Sequence, residues 1–289
     1  MTFRDRLELV LLGVIWGGSF LFMRIAAPEF GAFALVEVRV SIAALFLMII
    51  ILLRGRAGDM LQLAAPLTFL GIVSSAIPFA LFAWAAMTIT AGTAAVANAT
   101  APLFGALVGF LWLGDRLRRV QVAGLAIGFA GILILLWDRI AISVDGAALA
   151  IAACLAAALC YGIAVNFTKQ RLTGVSALVS STGSQVVSAI LLLPLAIIYW
   201  PAESPSSISW LSALALGIVC TGIAYLIYFR LIARIGPAKA ITVTYLAPVF
   251  GMIWGEVFLH EPISAGMLAA CAVIVLGIAL ATSPSLRGA

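Results

Sequence analysis

The feature that most constrains this chain is a series of long apolar runs, each about as long as a helix must be to cross a bilayer. Short gaps between the runs hold most of the charged residues, as at 54–59 and 114–116. Because backbone groups in lipid must hydrogen-bond within the chain, such runs predict helices. We predict ten membrane-spanning helices, at residues 7–26, 32–53, 64–86, 92–113, 119–137, 146–167, 176–199, 208–231, 238–259 and 264–282.

The composition agrees with that prediction. Charged residues make up 9% of the 289-residue chain and hydrophobic residues 65%, whereas average soluble proteins are about 25% charged. The chain is therefore predicted to be an all-α integral membrane protein with lipid as a partner. Its net charge of +5 would indicate nucleic acid only if the basic residues formed a stripe. They lie in the gaps between apolar runs, so no nucleic-acid partner is predicted.

The distribution of Lys and Arg predicts the orientation in the membrane. Of the 16 basic residues, 13 fall on the N-terminal side of the predicted topology, two (Arg24 and Arg139) on the opposite side, and Arg39 within the second helix. Basic loops stay cytoplasmic, so both termini are expected in the cytoplasm of a multi-pass plasma-membrane protein.

Short segments recur about 146 residues apart, which indicates an internal repeat. The sequence LGIV at 70–73 returns at 216–219, and APLFG at 101–105 returns as APVFG at 247–251. We predict two five-helix halves, residues 1–140 and 141–289. Because five is odd, the second half must be inverted relative to the first, an architecture that recurs in transporters.

Several motifs resemble those of the EamA-type branch of the drug/metabolite transporter superfamily. They are WGGSF at 16–20 followed by Arg24, Arg39 in the second helix, the duplicated Ala-Pro-x-Phe-Gly, LGDRL at 113–117 and LHEPI at 259–263. The resemblance covers the whole chain and is nearest to aromatic amino-acid exporters of the YddG type. It implies two EamA repeats and export of metabolites, with the bacterial inner membrane as the expected location. His260 departs from the glycine usual there.

Two helices carry a polar residue one turn before a proline, namely Asn98 with Pro102 and Thr244 with Pro248. Proline removes a backbone hydrogen bond and kinks a helix. The freed carbonyls tolerate membrane depth only beside protein or water. This pattern favours a central cavity, while packing of small residues remains an alternative. Pro78 is predicted to bend the third helix, which makes Pro78, Pro102 and Pro248 the candidate hinges.

Aromatic and hydroxyl side chains at helical spacing on the third and eighth helices suit an amphipathic ligand. Aromatics in this spacing also occur in helix cores and interfacial belts, and that alternative stays open. The candidate substrate-binding residues are Trp16, Ser75, Phe79, Phe82, Asn98, Tyr161, Thr221, Tyr225, Tyr228 and Thr244.

Charges within a membrane are costly, so Glu37, Arg39 and Glu256 require an explanation. Arg39 is expected to reach an interface or to pair with another helix, and Glu37, near the outer end, is expected to touch water. Glu256 is interpreted as a member of a structural ion pair rather than as a proton-coupling group.

The function predicted is secondary export of amino acids by alternating access. Aromatic or other hydrophobic amino acids are favoured, with Met and Thr as further candidates, and the protein is expected to work as a monomer. Export of another small metabolite or drug is the alternative. The chain has no phosphate-binding loop and no motif for a catalytic nucleophile or zinc, so we predict no enzyme activity, cofactor or metal. A passive channel would differ by flux without saturation.

Overall fold

A computed structural model describes residues 2–141, 145–236 and 240–282, without the side chains of 139–141. The described residues form helices and connecting turns, with no strand. The helices of the first part are α1 (Phe3–Leu53), α2 (Ala57–Gln62), α3 (Ala64–Gly71), the π-helical turn π1 (Ile72–Ala76), α4 (Ile77–Ala86), α5 (Ala91–Asn98), α6 (Ala101–Leu113) and α7 (Arg119–Ala141).

The later part of the chain repeats this style of long apolar helices. Its elements are α8 (Ala147–Arg171), α9 (Ala177–Ile198), α10 (Ser207–Gly217), the π-helical turn π2 (Ile218–Ile223), α11 (Ala224–Ile235), α12 (Val243–Leu259) and α13 (Ala265–Ala281). Where α and π segments are continuous they form one span. By length and composition, seven spans within the described ranges can cross a membrane, and α12 and α13 are shorter apolar helices.

Helix α1 reverses direction at Gly31. This residue has a positive φ of 71° and interrupts an otherwise helical run that also contains Pro28. The side chains of Met23 and Arg39 come within 3.7 Å of one another, although 16 residues of straight helix would span about 24 Å. The two arms therefore lie antiparallel, and the reversal falls in the gap predicted between 7–26 and 32–53. We call the end of the bundle near Gly31 the hairpin end and the end near Phe3 the N-terminal end.

A π-helical turn interrupts two spans at positions 146 residues apart. π1 begins at Ile72 and π2 at Ile218. A π turn inserts an extra residue into a helix and often marks a functional site. The hydroxyl of Thr221 donates to the carbonyl of Leu216 at 2.8 Å, so it satisfies a carbonyl beside the distorted ladder. Both turns carry a hydroxyl residue at the fourth position, Ser75 and Thr221.

The predicted hinge prolines behave differently from one another. Pro102 lies in the first turn of α6, immediately after a break at residues 99–100 that divides the predicted 92–113 helix. Pro78 likewise starts α4, directly after π1. At Pro102 a new helix begins, so the missing N–H breaks no helical bond. Pro78 lies within a continuous span, so its missing N–H leaves a carbonyl of the preceding turn without a helical donor, beside the π distortion. Pro248 lies inside α12, which continues through it.

Glycine allows very close helix crossings at two equivalent places. A Cβ on Gly17 of α1 would lie 2.8 Å from the backbone nitrogen of Gly251 in α12. A Cβ on Gly162 of α8 would lie 2.9 Å from the backbone nitrogen of Gly105 in α6. Small residues let helix backbones approach in this way in membranes. Each crossing joins a helix of one part of the chain to a helix of the other.

Some predictions fall outside the described residues. They concern Lys239, Arg287, the side chain of Arg139, and residues 238–239 at the start of the ninth predicted helix.

Candidate functional site

Two aromatic pairs lie next to the glycine crossings. The rings of Trp16 and Tyr228 have centroids 5.2 Å apart, and those of Phe82 and Tyr161 are stacked at 6.2 Å. Tyr228 lies 146 residues after Phe82, and Tyr161 lies 145 after Trp16. The pairs are therefore equivalent in the repeat. Each joins a residue from one part of the chain to a residue from the other.

Two buried polar pairs at the π turns also join residues from the two parts of the chain. Arg39 donates through Nε to the hydroxyl of Thr221 at 3.1 Å. Gln185 donates through Nε2 to the hydroxyl of Ser75 at 2.8 Å. Gln185 lies 146 residues after Arg39, and Thr221 lies 146 after Ser75. All four side chains are buried, so a matching hydrogen bond holds each π turn to a neighbouring helix.

Arg39 is the centre of a larger cluster. Its guanidinium carbon lies 3.7 Å from the ring centroid of Phe79, a distance at which a cation is attracted to an aromatic face. Tyr161 and Tyr225 lie within electrostatic range of the guanidinium, and Tyr225 lies near Ser75. We call Arg39, Ser75, Phe79, Tyr161, Tyr225 and Thr221 the central cluster.

Ion pairs occur near both ends of the bundle. At the hairpin end, Arg24 Nε lies 3.1 Å from a carboxylate oxygen of Glu261. Arg24 also donates to the carbonyl of Ala86, and Glu261 accepts from the backbone N–H of Ala91 at the start of α5. This pair therefore fastens α1, α4, α5 and the turn after α12.

The N-terminal end has the equivalent pair. Lys169 Nζ lies 2.9 Å from Asp115, and these positions are 145 residues after Arg24 and 146 before Glu261. Here the side chains are 61% and 50% exposed, against 28% for Arg24 and 11% for Glu261. The ion pair at the N-terminal end is therefore much more exposed than the pair at the hairpin end.

Comparison with known proteins decides the family. The model of the EamA-like transporter family matches the chain twice, over residues 7–137 and 148–283. The chain belongs to the EamA-like transporter family. The resemblance noted in the sequence is confirmed at this level, and the protein is a membrane transporter of small molecules rather than an enzyme.

Relatives of this transporter span nearly its whole length. An uncharacterized inner membrane transporter, YedA of Escherichia coli strain K12, is 27% identical over 98% of this chain and 93% of its own. A probable terminal-alkyne amino-acid exporter of Streptantibioticus cattleyicolor is 27% identical over 88% and 84%. A solved crystal structure, 23% identical, covers 96% of this chain and 97% of its own with a TM-score of 0.68, which shows a shared fold.

The transporter brings most of the predicted site residues together. Ser75, Phe79, Tyr161, Thr221 and Tyr225 lie in the central cluster, and Trp16, Phe82 and Tyr228 form the aromatic pairs beside it.

The remaining two predicted residues lie apart from that cluster. Asn98 ends α5 at the helix break, is partly exposed, and its amide has no hydrogen-bond partner among the described residues. The hydroxyl of Thr244 donates to the carbonyl of Ile241 at 2.8 Å. Asn98 is therefore free to bind a ligand, whereas Thr244 is engaged in its own helix start.

The ion pair expected for Glu256 is not found. Within the described part of the chain, Arg39, Glu37 and Glu256 lack an oppositely charged partner. Glu37 accepts a hydrogen bond from Ser41 at 2.6 Å and its second oxygen has no partner. Glu256 is exposed on the surface of α12. The ion-pair expectation for Glu256 was wrong because its carboxylate lies on the exposed surface of α12, away from the basic residues that the structure describes.

Arg39 and Gln185 were missing from the predicted site. The repeat offset of 146 residues aligns them, and an ionisable residue within a membrane is a functional hypothesis by default. Both signals were in the sequence, but only the contacts with Thr221 and Ser75 show that the two residues have equivalent places. As for metal sites, the described residues contain no group of three or more His, Cys, Asp or Glu side chains able to bind an ion.

Proposed function

We propose that this transporter exports amino acids with aromatic or other large apolar side chains, with Met and Thr as further substrates, by alternating access. The observation that carries the proposal is the central cluster with its flanking aromatic pairs. It combines aromatic rings with several hydroxyl groups, which suits a ligand that has an apolar side chain and a polar head. The proposal also requires the ligand to reach beyond the cluster to Asn98, whose amide has no hydrogen-bond partner in the described structure. The relative named as an amino-acid exporter supports this substrate class.

The proposed topology has ten crossings in two inverted halves, residues 1–140 and 141–289. Counting the arms of α1 separately and adding α12 and α13 to the seven long spans gives ten crossings. The two family matches divide them five and five. The basic residues favour cytoplasmic termini, and the name of YedA favours the bacterial inner membrane.

A labelling experiment tests this topology. Single cysteines replacing Met60, between α1 and α3, and Glu203, between α9 and α10, are treated in intact cells with a membrane-impermeant thiol reagent. With cytoplasmic termini and an inverted second half, Glu203→Cys should be labelled and Met60→Cys should be protected. The native cysteines lie within helices, so background labelling should be low. Labelling of both sites from the outside contradicts the inverted arrangement.

Alternating access is supported by the equivalent ion pairs at the two ends. In an inverted repeat, the conformation of one half can be exchanged for that of the other, so that a site near the middle opens first to one side and then to the opposite side. Arg24–Glu261 and Lys169–Asp115 occupy the places where such a change would separate the helices. The proposal takes a single chain as the functional unit.

Transport into liposomes tests the function. Purified protein is reconstituted with internal Phe, and the entry of labelled Phe, Trp, Met and Thr is followed by counterflow. We expect saturable flux with mutual competition. Trp16→Ala, Tyr225→Ala and Asn98→Ala should each reduce flux about tenfold, since each removes a contact with the substrate.

Trp137→Ala is the matched control for loss of an aromatic residue. Trp137 is 76% exposed on the outside of α7, so flux should stay unchanged. Normal flux in all three site variants would place the substrate elsewhere. Absence of flux for every amino acid would favour another metabolite or drug.

A further inference from the structure

Arg39 is almost completely enclosed, with 5% of its surface exposed. Arginine stays protonated in proteins, so the middle of the bundle holds a permanent positive charge. An uncompensated charge at this depth costs several kcal/mol. A fold retains such a charge when an anion neutralises it for part of the working cycle.

The neighbours of Arg39 are neutral. Its Nε donates to Thr221, and its Nη1 points to the thioether sulfur of Met23 at 3.7 Å, which is a weak acceptor. In the described structure no group accepts a hydrogen bond from Nη2, and no carboxylate approaches the guanidinium. A guanidinium has five N–H donors, so several of them are left for a ligand.

The equivalent position in the other part of the chain shows that the charge is not required for packing. Gln185 makes the same hydrogen bond to Ser75 that Arg39 makes to Thr221. An uncharged amide therefore suffices to hold a π turn against its neighbour. The positive charge of Arg39 is an addition to a contact that works without it.

We propose that Arg39 binds the carboxylate of the transported molecule, so that a carboxylate is required for recognition. This inference rests on the proposed function and names the group that the site selects. The Phe79 ring covers one face of the guanidinium, which leaves the donors in its plane for a carboxylate. Tyr161 and Tyr225, within electrostatic range of the guanidinium, are candidates for further donors to the carboxylate. A single cation matches a monoanionic carboxylate rather than a phosphate dianion.

The first test uses the unmodified transporter and measures binding rather than flux. The shift in melting temperature of purified protein is titrated with acid and amide pairs, namely phenylalanine with phenylalaninamide and 3-phenylpropionate with 3-phenylpropionamide. Each acid should bind at least about tenfold more tightly than its amide, since a charge-assisted hydrogen bond is lost in the amide. Equal binding of acids and amides, or no binding of any acid, overturns the proposal.

The second test uses Arg39→Gln, which copies the residue at 185 and can keep the bond to Thr221. The preference for acid over amide should fall to within about twofold, while the melting temperature without ligand should stay the same or rise, because the variant removes an uncompensated buried charge. Arg39→Lys should retain part of the preference. Arg56→Gln is the matched control, because it removes an exposed positive charge outside the site, and its acid-to-amide ratio should equal that of the unmodified protein. A full preference in Arg39→Gln overturns the proposal.

The two proposals fail in different ways. If acids bind in preference to amides but no amino acid is transported, the amino-acid function is wrong and the carboxylate site stands. If amino acids are transported and their amides bind equally well, the carboxylate site is wrong and the function stands.

Discussion

The two segments that match the family place an ion pair at equivalent positions, but the surroundings of the two pairs differ. Arg24–Glu261 at the hairpin end is mostly enclosed and has two additional bonds to backbone groups. Lys169–Asp115 at the N-terminal end is more than half exposed on average. Exposed pairs contribute little to stability because water and salt screen them. The comparison teaches that the segments share a backbone plan, while burial decides which of the two ion pairs contributes more to stability.

The same contrast exists in the middle of the bundle. Arg39 and Gln185 make equivalent hydrogen bonds, yet one is charged and the other neutral. Backbone features such as the glycine crossings and π turns recur in both segments, whereas the polar side chains attached to them have diverged. Variants at equivalent positions can therefore separate what the segments share from what distinguishes them.

The largest expected effect is on a shared feature. Gly17→Ala should lower the free energy of unfolding by about 3 kcal/mol, because the added Cβ would lie 2.6 Å from Cβ of Phe250. Gly162→Ala should have a similar effect, since its Cβ would lie 2.7 Å from the carbonyl carbon of Phe104. Gly105→Ala is the control, as nothing lies within 4 Å of its Cβ. Unfolding in mixed micelles measures all three, and a neutral Gly17→Ala would show that the crossing is looser.

The ion pairs should respond unequally. Glu261→Gln leaves Arg24 without its counter-charge in a mostly enclosed site, and we expect a loss of about 2 kcal/mol in the free energy of unfolding. Asp115→Asn should change it by less than about 0.5 kcal/mol. The same unfolding assay at low and high salt measures both. Equal losses of unfolding free energy in the two variants would show that the two ion pairs contribute equally to stability.

A smaller effect is expected where the segments differ in backbone strain. His260 ends α12 with a φ of 54°, and Gly114 ends α6 with a φ of 70°. Because a Cβ disfavours this region, His260→Gly should stabilise the protein by about 0.5 kcal/mol, and Gly114→Ala should destabilise it by about 1 kcal/mol. Melting temperatures of the two variants should move in opposite directions. A shift in the same direction would contradict the shared end conformation.

The smallest effect concerns pH at the hairpin end. Hydrogen bonds from the backbone and side chain of Ser206, which caps α10, lower the pKa of Glu29 below its ordinary value. A lowered pKa in the folded state means that this contact stabilises fully at neutral pH and is lost as the pH falls through the folded value. Glu29→Gln should flatten the acidic limb of a plot of melting temperature against pH. An unchanged limb would show that other groups determine it.

Much of the fold could be predicted from the sequence because the signals are local. The apolar runs give the helices, and the gap at 27–31 marks the reversal of α1. The π turns could not be predicted, since they involve partners far along the chain, such as the contact of Gln185 with Ser75. The break at 99–100 has a local signal in Pro102, and only its exact place was missing from the sequence.

The site was predicted in part for the same reason. Aromatic and hydroxyl positions follow from helical spacing, which indicated Ser75, Phe79 and Tyr225. The role of Arg39 depends on which groups surround it, and the sequence alone does not show that its surroundings contain hydroxyls and rings without a carboxylate.

Each π turn contains about one residue more than an α-helical turn, and this matters when relatives are compared. Because a π turn takes up its extra residue in about the same rotation about the helix axis, deleting a single residue from 72–76 would restore a regular α-helix and leave α4 close to its present orientation. Since successive residues of an α-helix are about 100° apart around its axis, the same deletion within α3 would instead rotate everything after it, and Phe82 would lose its contact with Tyr161. A relative without the π turn can therefore keep the same side chains at this site with one residue fewer.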